Sequence, residues 1–428
     1  MMHIKKTNRG LGSTPWTRLC GLGVISTALG VSLLTPVAGA ADAPKGPTVS
    51  RSISKELSDG QKALQAGQFA EGLKHLEAAE AVSPLTPFDH KTIDELKAYA
   101  YIKTNNYKGA EDAYEAAVAT GAASAEEVTH YEKAVFQIAY QLQQYPKAID
   151  YGKKLIDADA ANADTYAIIT QVYYLQKNCK DAIVWADKSI AYAKKSGEAP
   201  KENFYLFKLQ CAFDASDTPA TIATLVDLIR LNGKTDYWNK LLRFELQDEK
   251  DDKNTLMIYR VMYNTNSMSS GGYYIEMAQL LADAPALPGE AEAVLEKGIA
   301  TGTIGADQKD RVTRLQAALK TRADADKKGL TEFASEAAKS ASGDLSVKLG
   351  EVYYGFGDYQ NAITAINAGV AKGGVRHPED AAVYLGLSEE AVKNIPEAKK
   401  AFAQLKNVAN LSPKVLQIWQ LYAERLGT

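Results

Sequence analysis

The feature that most constrains this chain is a repeated spacing. Toward the C-terminus, Leu349-Gly350 is followed by Tyr353, Gly357, Tyr359, Ala362, Ile366 and Gly369. Toward the other end, Gly60, Gly67, Phe69, Gly72, Leu76, Ala79 and Pro84 fall at the same offsets. Apolar residues recur at three- and four-residue steps, and β-type alternation is absent, so each unit reads as two short helices. The small residues let those helices approach closely, and the aromatic residues fill the space to the next pair. Gly67 and Gly357 can take the left-handed conformation that ends the first helix, and Pro84 stops the second. Such a pair cannot bury its apolar face alone, so it requires neighbours of the same kind. The fold class is therefore all-α: an α-solenoid of antiparallel helix pairs.

Partial copies fill much of the rest. One carries Tyr101, Tyr107, Ala110, Tyr114 and Ala117, and the next carries Tyr145 and Ala148. Another has Tyr173, Ala182 and Ala186 with Cys179 in the aromatic slot, and 204–231 is a degenerate unit. Ala291, Leu295 and Gly298 mark a later one, and Leu385-Gly386, Ala398, Phe402 and Leu405 mark the last. These residues resemble the tetratricopeptide repeat family, whose unit is a pair of antiparallel helices. The second half also resembles a group of exported proteobacterial tetratricopeptide-repeat proteins without settled activity. The segments TDYWNKLLRFEL, YYIEMAQLLADAPALPGEAEAVLEKGIATG and LGEVYYGFGDYQNAITAINAGVAKGG carry that likeness, which implies export and fold more than function.

The organisation expected is a signal peptide over 1–40, a Pro-rich lead-in over 41–50, and a repeat array over 51–302. A charged connector over 303–342 then leads to the final repeats over 343–428. The connector is rich in Lys, Asp, Arg and Ala, lacks the repeat signature, and reads as one or two solvated helices. The last stretch places Val415, Ile418, Trp419, Tyr422 and Leu426 on one face, as a capping helix would. At the N-terminus a basic region up to Arg18 precedes an apolar run from Leu19 to Leu34, broken by Pro36 and closed by Ala38-Gly39-Ala40. That order of features is a secretory signal, cleaved after Ala40 or Ala41. The run is short and rich in Gly, Ser and Thr, which disfavours the other reading, an uncleaved anchor. The location implied is the periplasm, with no membrane span left after cleavage.

The whole chain has 49 basic and 52 acidic residues. The leader holds four of the basic groups (Lys5, Lys6, Arg9, Arg18) and no acidic one, so its removal leaves 45 against 52, a net charge of −7. That balance gives no reason to expect nucleic acid as a partner. There is no HExxH, GxSxG or CxxC motif, and no cofactor or metal is implied. Asn232-Gly233-Lys234-Thr235 lacks the glycine and preceding strand of a phosphate loop. Asp248, Glu249, Asp251 and Asp252 lack the ligand spacing of a calcium loop. His75, His90, His130 and His377 are scattered, and His377-Pro378-Glu379-Asp380 reads as a helix start. The chain is expected not to be an enzyme.

The family resemblance implies that first helices line a concave groove. One groove position is filled by Gln61, Tyr99, Gln137, Gln171 and Gln210, with Glu351 as the later equivalent. Three residues on come Leu64, Ile102, Tyr140, Tyr174 and Phe213, with Tyr354 as the equivalent. Gln amides can pair with the backbone of a peptide, and aromatic faces add apolar contact. Two readings of the aromatics stand: groove contacts, or packing between helices. The same register sets Cys179 at the start of one unit's second helix and Cys211 on the next unit's first helix, which favours a disulfide between them over the other reading, two buried thiols acting as small hydrophobes. The function implied is a periplasmic scaffold that binds a protein or peptide segment in its groove. The other reading is an assembly factor of an energy-transducing or outer-membrane complex, acting through its outer surface.

Overall fold

The computed structural model describes residues 47–283 and 287–428. Residues 1–46, on which the expected leader over 1–40 and the start of the expected lead-in fall, and residues 284–286 lie outside the described residues. Among the described residues the regular structure is twenty α-helices and short 3₁₀ turns, with no strand. None of these helices is long and apolar enough to cross a membrane. The chain divides into two compact units after Val172, inside the stretch that the sequence presents as one array over 51–302.

The first unit contains α1 (Ser54–Gln65), α2 (Phe69–Glu80), α3 (Pro87–Lys103), α4 (Tyr107–Ala119), α5 (Ala125–Gln141), α6 (Tyr145–Asp157) and the start of α7 (Ala163–Leu175). Helices pair in order: α1 with α2, α3 with α4, α5 with α6. The close approach rests on small residues. A Cβ on Gly72 would lie 2.5 Å from Leu64, and one on Gly152 would lie 2.8 Å from Ile169 and 2.9 Å from Phe136. The turn inside each pair holds one residue at positive φ: Gly67 (76°), Asn105 (58°) and Gln143 (58°). In the α3–α5 core, buried Ala98, Ala110 and Ala117 admit the stacked rings of Tyr114 and Tyr131, 5.3 Å apart. The unit's N-terminal edge is clasped by Asp89, which is fully buried and caps α3 through Thr86. Its carboxylate also accepts from the Ser50 amide at 2.8 Å and the Ser50 hydroxyl at 2.6 Å. Burial alone would raise the Asp89 pKa, but the hydrogen bonds from Ser50 and Thr86 hold it down to about 2.

The second unit starts at Tyr173, near the end of α7, and continues with α8 (Cys179–Lys195), α9 (Glu202–Asp214), α10 (Thr218–Asn232), α11 (Thr235–Gln247), α12 (Asp252–Asn264), α13 (Gly271–Asp283) and α14 (Pro288–Ala300). Then come α15 (Lys309–Lys339), α16 (Asp344–Gly355), α17 (Tyr359–Lys372), α18 (Pro378–Ala391), α19 (Ile395–Ala403) and α20 (Pro413–Arg425). The charged connector is a single helix, α15, of 31 residues. It seats only Val312, Leu319, Ala323 and Ala337 fully, so its apolar stripe is narrow and its other faces stay in solvent. Arg311 on Gln279 and Arg322 on the Ala282 carbonyl tie it to α13. In contrast, α12 is buried continuously from Leu256 to Met262 and runs through the interior. The acidic run before it is structural: Glu249 accepts from the amides of Lys250 and Asp251, and Asp251 caps α12.

The C-terminal helix does more than cover the last pair. Val415, Ile418, Trp419, Tyr422 and Leu426 are buried as the sequence pattern requires, and Leu421 widens the stripe. One flank packs on α19 and the other on α10 and α12, so the unit closes on itself. The structure also joins Cys179, the first residue of α8, to Cys211 on α9 in a disulfide, with Cα atoms 5.4 Å apart.

Two stability measurements follow from this packing. A Cβ on Gly350 would lie 2.4 Å from Ile366 Cγ1 and 3.0 Å from the Ala362 carbonyl, so Gly350→Leu should cost about 1–3 kcal/mol by overpacking. A thermal melt coinciding with the parent would refute the helix register. The disulfide closes a loop of 32 residues, which in the chain-entropy account is worth about 3–4 kcal/mol. Cys179→Ser with Cys211→Ser should therefore melt well below the oxidised parent, and an unchanged denaturation midpoint would show the bond to be dispensable.

Candidate functional site

Six residues share one helical address. Gln61, Tyr99, Gln137, Gln171, Gln210 and Glu351 each stand four residues before the end of a first helix (α1, α3, α5, α7, α9 and α16). Leu64, Ile102, Tyr140, Tyr174, Phe213 and Tyr354 each stand one residue before the same ends. A shared address gives a shared direction, since the side chain leans along its helix in the same way each time. What surrounds the address differs between the two units.

In the first unit the polar column stays half-exposed: Gln61, Tyr99, Gln137 and Gln171 are each neither buried nor fully open. The Tyr99 ring meets Phe69 edge-on at 6.5 Å and carries the Lys103 ammonium at 5.5 Å. The second column is mostly packing. Leu64 is buried, and Ile102 lies against the α3–α5 core. Tyr140 is half-buried. Leu64 packs on Gly72 of its own partner helix, whereas Ile102 lies against the core shared with the next pair. In the second unit, Tyr174 packs on Phe207 with ring centroids 4.5 Å apart. Gln210 donates to Asp214, and Phe213 is exposed.

At α16 the address is filled by the chain itself, which corrects the expectation of a solvent groove there. Glu351 is 4% exposed, and Tyr354 is wedged between Tyr359 and Tyr384. What fills the space comes from α12 and α14. Arg260, 2% exposed, donates to Glu290 through Nε at 3.3 Å and through Nη2 at 3.4 Å. It also donates to the Tyr384 hydroxyl, which in turn donates to Glu290. The start of α14 reaches α16 because both sides are glycine: a Cβ on Gly289 would meet Phe356 at 2.5 Å, and one on Gly355 would meet the Glu290 amide at 2.8 Å. Burial pushes the Tyr354 and Tyr384 hydroxyls well above their ordinary pKa. The attraction of Tyr384 and Glu290 overcomes burial at Arg260 and keeps it charged. Removing one partner of such a pair leaves a buried charge and costs roughly 3–5 kcal/mol.

Among the described residues, two groups of side chains could in principle attract a cation: Glu111, Asp112 and Glu115 in the first unit, and His377, Glu379 and Asp380 in the second. Each already holds an ammonium. Lys147 pairs with Glu111 at 2.5 Å and Glu115 at 3.0 Å, and Lys108 pairs with Asp112. Lys253 pairs with Glu379 and lies 3.8 Å from Asp380. The phosphate-loop-like stretch is likewise occupied: Gly233 ends α10 at positive φ, and Lys234 pairs with Glu202. The sequence reading passed over Arg260, although a lone Arg inside the apolar run LMIYRVMY was a signal for a buried partner.

No protein-family model matches the chain, and no curated protein matches it. Solved structures do. A tetratricopeptide repeat protein from Parabacteroides merdae is 12% identical and aligns over 63% of this chain and 100% of its own, at a TM-score of 0.32. The Naa15/Naa10 structure bound to HypK-THB is 11% identical and aligns over 83% of this chain and 59% of its own, at a TM-score of 0.40. The helix pairs themselves, with their small-residue contacts and left-handed turns, make this chain a helical repeat array, consistent with the tetratricopeptide resemblance.

Glu351 supplies a pH test of the filled address. Burial raises its carboxyl to about 7, against the opposing pull of Lys348. A folded-state pKa raised above the unfolded value means that stability is lost as pH rises through the folded pKa. The parent should lose stability between about pH 4.5 and 7, and Glu351→Gln should flatten that part of the curve, with its gain largest from about pH 7 upward. Parallel curves for the two proteins would show that Glu351 is not held in this buried site.

Proposed function

We propose that this chain is a non-catalytic binding scaffold that holds a protein or peptide segment on the first-helix face of its N-terminal unit, in the periplasm. The observation that carries the reading is the half-exposed column Gln61, Tyr99, Gln137 and Gln171 on successive first helices. Three of the four are amides, which donate and accept together and so match a peptide backbone. The corresponding Glu351 is buried against the chain's own helices, so that part of the array has no free address to offer. The periplasmic part of the reading rests on the leader pattern before Ala40.

The second reading, an envelope assembly factor acting through its outer surface, is favoured by α15, whose exposed faces run the length of a 31-residue helix. Photo-crosslinking in the native cell separates the two, with probes at Gln137 and Gln171 and a comparison probe at exposed Lys328. A discrete adduct at the first two positions, weakened at least about fivefold by Gln61→Ala with Tyr99→Ala, supports the groove. Adducts from the Lys328 probe alone would overturn it in favour of the outer surface.

A further inference from the structure

The column Gln61, Tyr99, Gln137 and Gln171 does not stand alone on its helix faces. Residues three, four and seven places away along a helix share a face, so the surroundings of the column follow from register. One turn beyond Tyr99 on α3 stands exposed Lys103. One turn before Gln137 on α5 stands exposed Lys133, with exposed His130 a further turn back. Exposed Gln65 and Gln141 add two more amides, one turn past Gln61 and Gln137. Among the described residues, neither Lys103 nor Lys133 lies within ion-pair distance of a carboxylate. The Lys103 ammonium rests on the Tyr99 ring at 5.5 Å. Gln61, Gln137 and Gln171 make no side-chain hydrogen bond among the described residues.

The acids on the same faces are either answered or distant. Glu95, one turn before Tyr99, has the buried Lys91 ammonium at 3.6 Å. Asp164 and Glu126 sit in the first turns of α7 and α5, about 10 Å and about 16 Å along the helix axis from Gln171 and Gln137. This is the reverse of the unit as a whole, in which residues 47–172 hold 12 basic and 18 acidic side chains. An acidic unit that keeps two unanswered ammonium groups beside its column, and no unanswered carboxylate there, is charged to receive carboxylates.

We propose that the segment held on this face is an extended, acidic stretch of polypeptide. This rests on the groove reading and adds the chemistry of its occupant. The column amides pair with the backbone of the stretch, and Lys103 and Lys133 take its carboxylates. Because the helices alternate in direction, α3 and α5 run the same way. The two ammonium groups therefore lie on opposite sides of the column, one toward the end of α3 and the other toward the start of α5. Side chains of an extended chain alternate between two directions, so an acidic run laid along the column presents carboxylates to both. A basic segment would meet Lys103 and Lys133 as like charges, and an uncharged one would leave both without a partner.

The full chain carrying a photo-crosslinker at exposed Gln141, which leaves the column intact, tests this with purified probes. The probes are short Gly/Ser peptides with a central run of Glu, of Gln or of Lys. The Glu peptide should give at least about fivefold more adduct than the Gln peptide at about 0.05 M salt, and the Lys peptide the least. That preference should disappear at about 0.5 M salt. It should also disappear in Lys103→Gln with Lys133→Gln, two exposed positions where the change leaves the fold in place. Equal adducts from the Glu and Gln peptides overturn the proposal and leave the groove reading standing. A Glu preference that survives the double variant overturns it as well. Absence of adduct from all three peptides also overturns it. Whether the groove reading then falls too is read from the cellular adducts at Gln137 and Gln171, which do not depend on these peptides.

Discussion

The rest of the molecule depends on how closely two short helices can approach. A helix of twelve to fourteen residues has too little surface to be stable alone, and a pair of them has no interior. Small residues at the crossing remove the spacer that a larger side chain would impose, as at Gly72 against Leu64 and Gly350 against Ile366. The space freed within a pair moves apolar bulk to the junction between pairs. There Tyr114 stacks on Tyr131, and Phe402 meets Trp419. Each junction needs the next pair to complete it, so the array continues until something other than a pair closes it. In the second unit that closure is α20.

Closure changes what the repeat surface is for. In the first unit the position four places before the end of a first helix leaves amides and a tyrosine half-exposed; in the second Gln210 is half-exposed as well, while Glu351 is buried. Once α12 is enclosed, its single Arg must be neutralised in place. Glu290, Tyr384 and the glycines at 289 and 355 meet that requirement together. A buried ion pair of this kind is a poor source of net stability, since desolvation offsets the attraction. Its consequence is specificity: α14 and α18 can sit against α12 in one register, because any slip would strand a charge.

The helix pairs were legible wherever glycine marks the turn, at Gly67 and Gly357. They were harder to read where the same positive φ is taken by Asn105, Gln143, Lys177, Ser216 or Lys393. The backbone repeats there while the sequence does not, since a turn can tolerate a strained residue when the flanking helices fix it. The amphipathic face of 415–426 was legible because its period is local, but its second neighbour was not. Contacts such as Arg230 with Glu424 or Arg260 with Tyr384 join positions with no common pattern in the sequence. The candidate site divides the same way. The column of Gln61, Tyr99, Gln137 and Gln171 follows from register alone, whereas the burial of Glu351 and Tyr354 depends on helices that the register says nothing about.

The first unit and the α12–α18 part of the second therefore use one building block to opposite ends. A repeat array that leaves its first-helix face half-exposed keeps hydrogen-bonding groups in contact with water, and a ligand can take them over at little cost. An array that encloses its own helices has already spent that capacity on internal partners, and any further partner must first displace them. Where the enclosed contact is apolar and glycine-tight, as between α16 and α17, displacement amounts to unfolding. Along α20 the enclosed contact combines a buried apolar face with polar ties such as Arg230 to Glu424 and Lys414 to Glu249, so the last helix is fixed to two sets of neighbours at once. That contrast in contact chemistry, more than the repeat pattern itself, decides which surfaces of this protein are open to exchange.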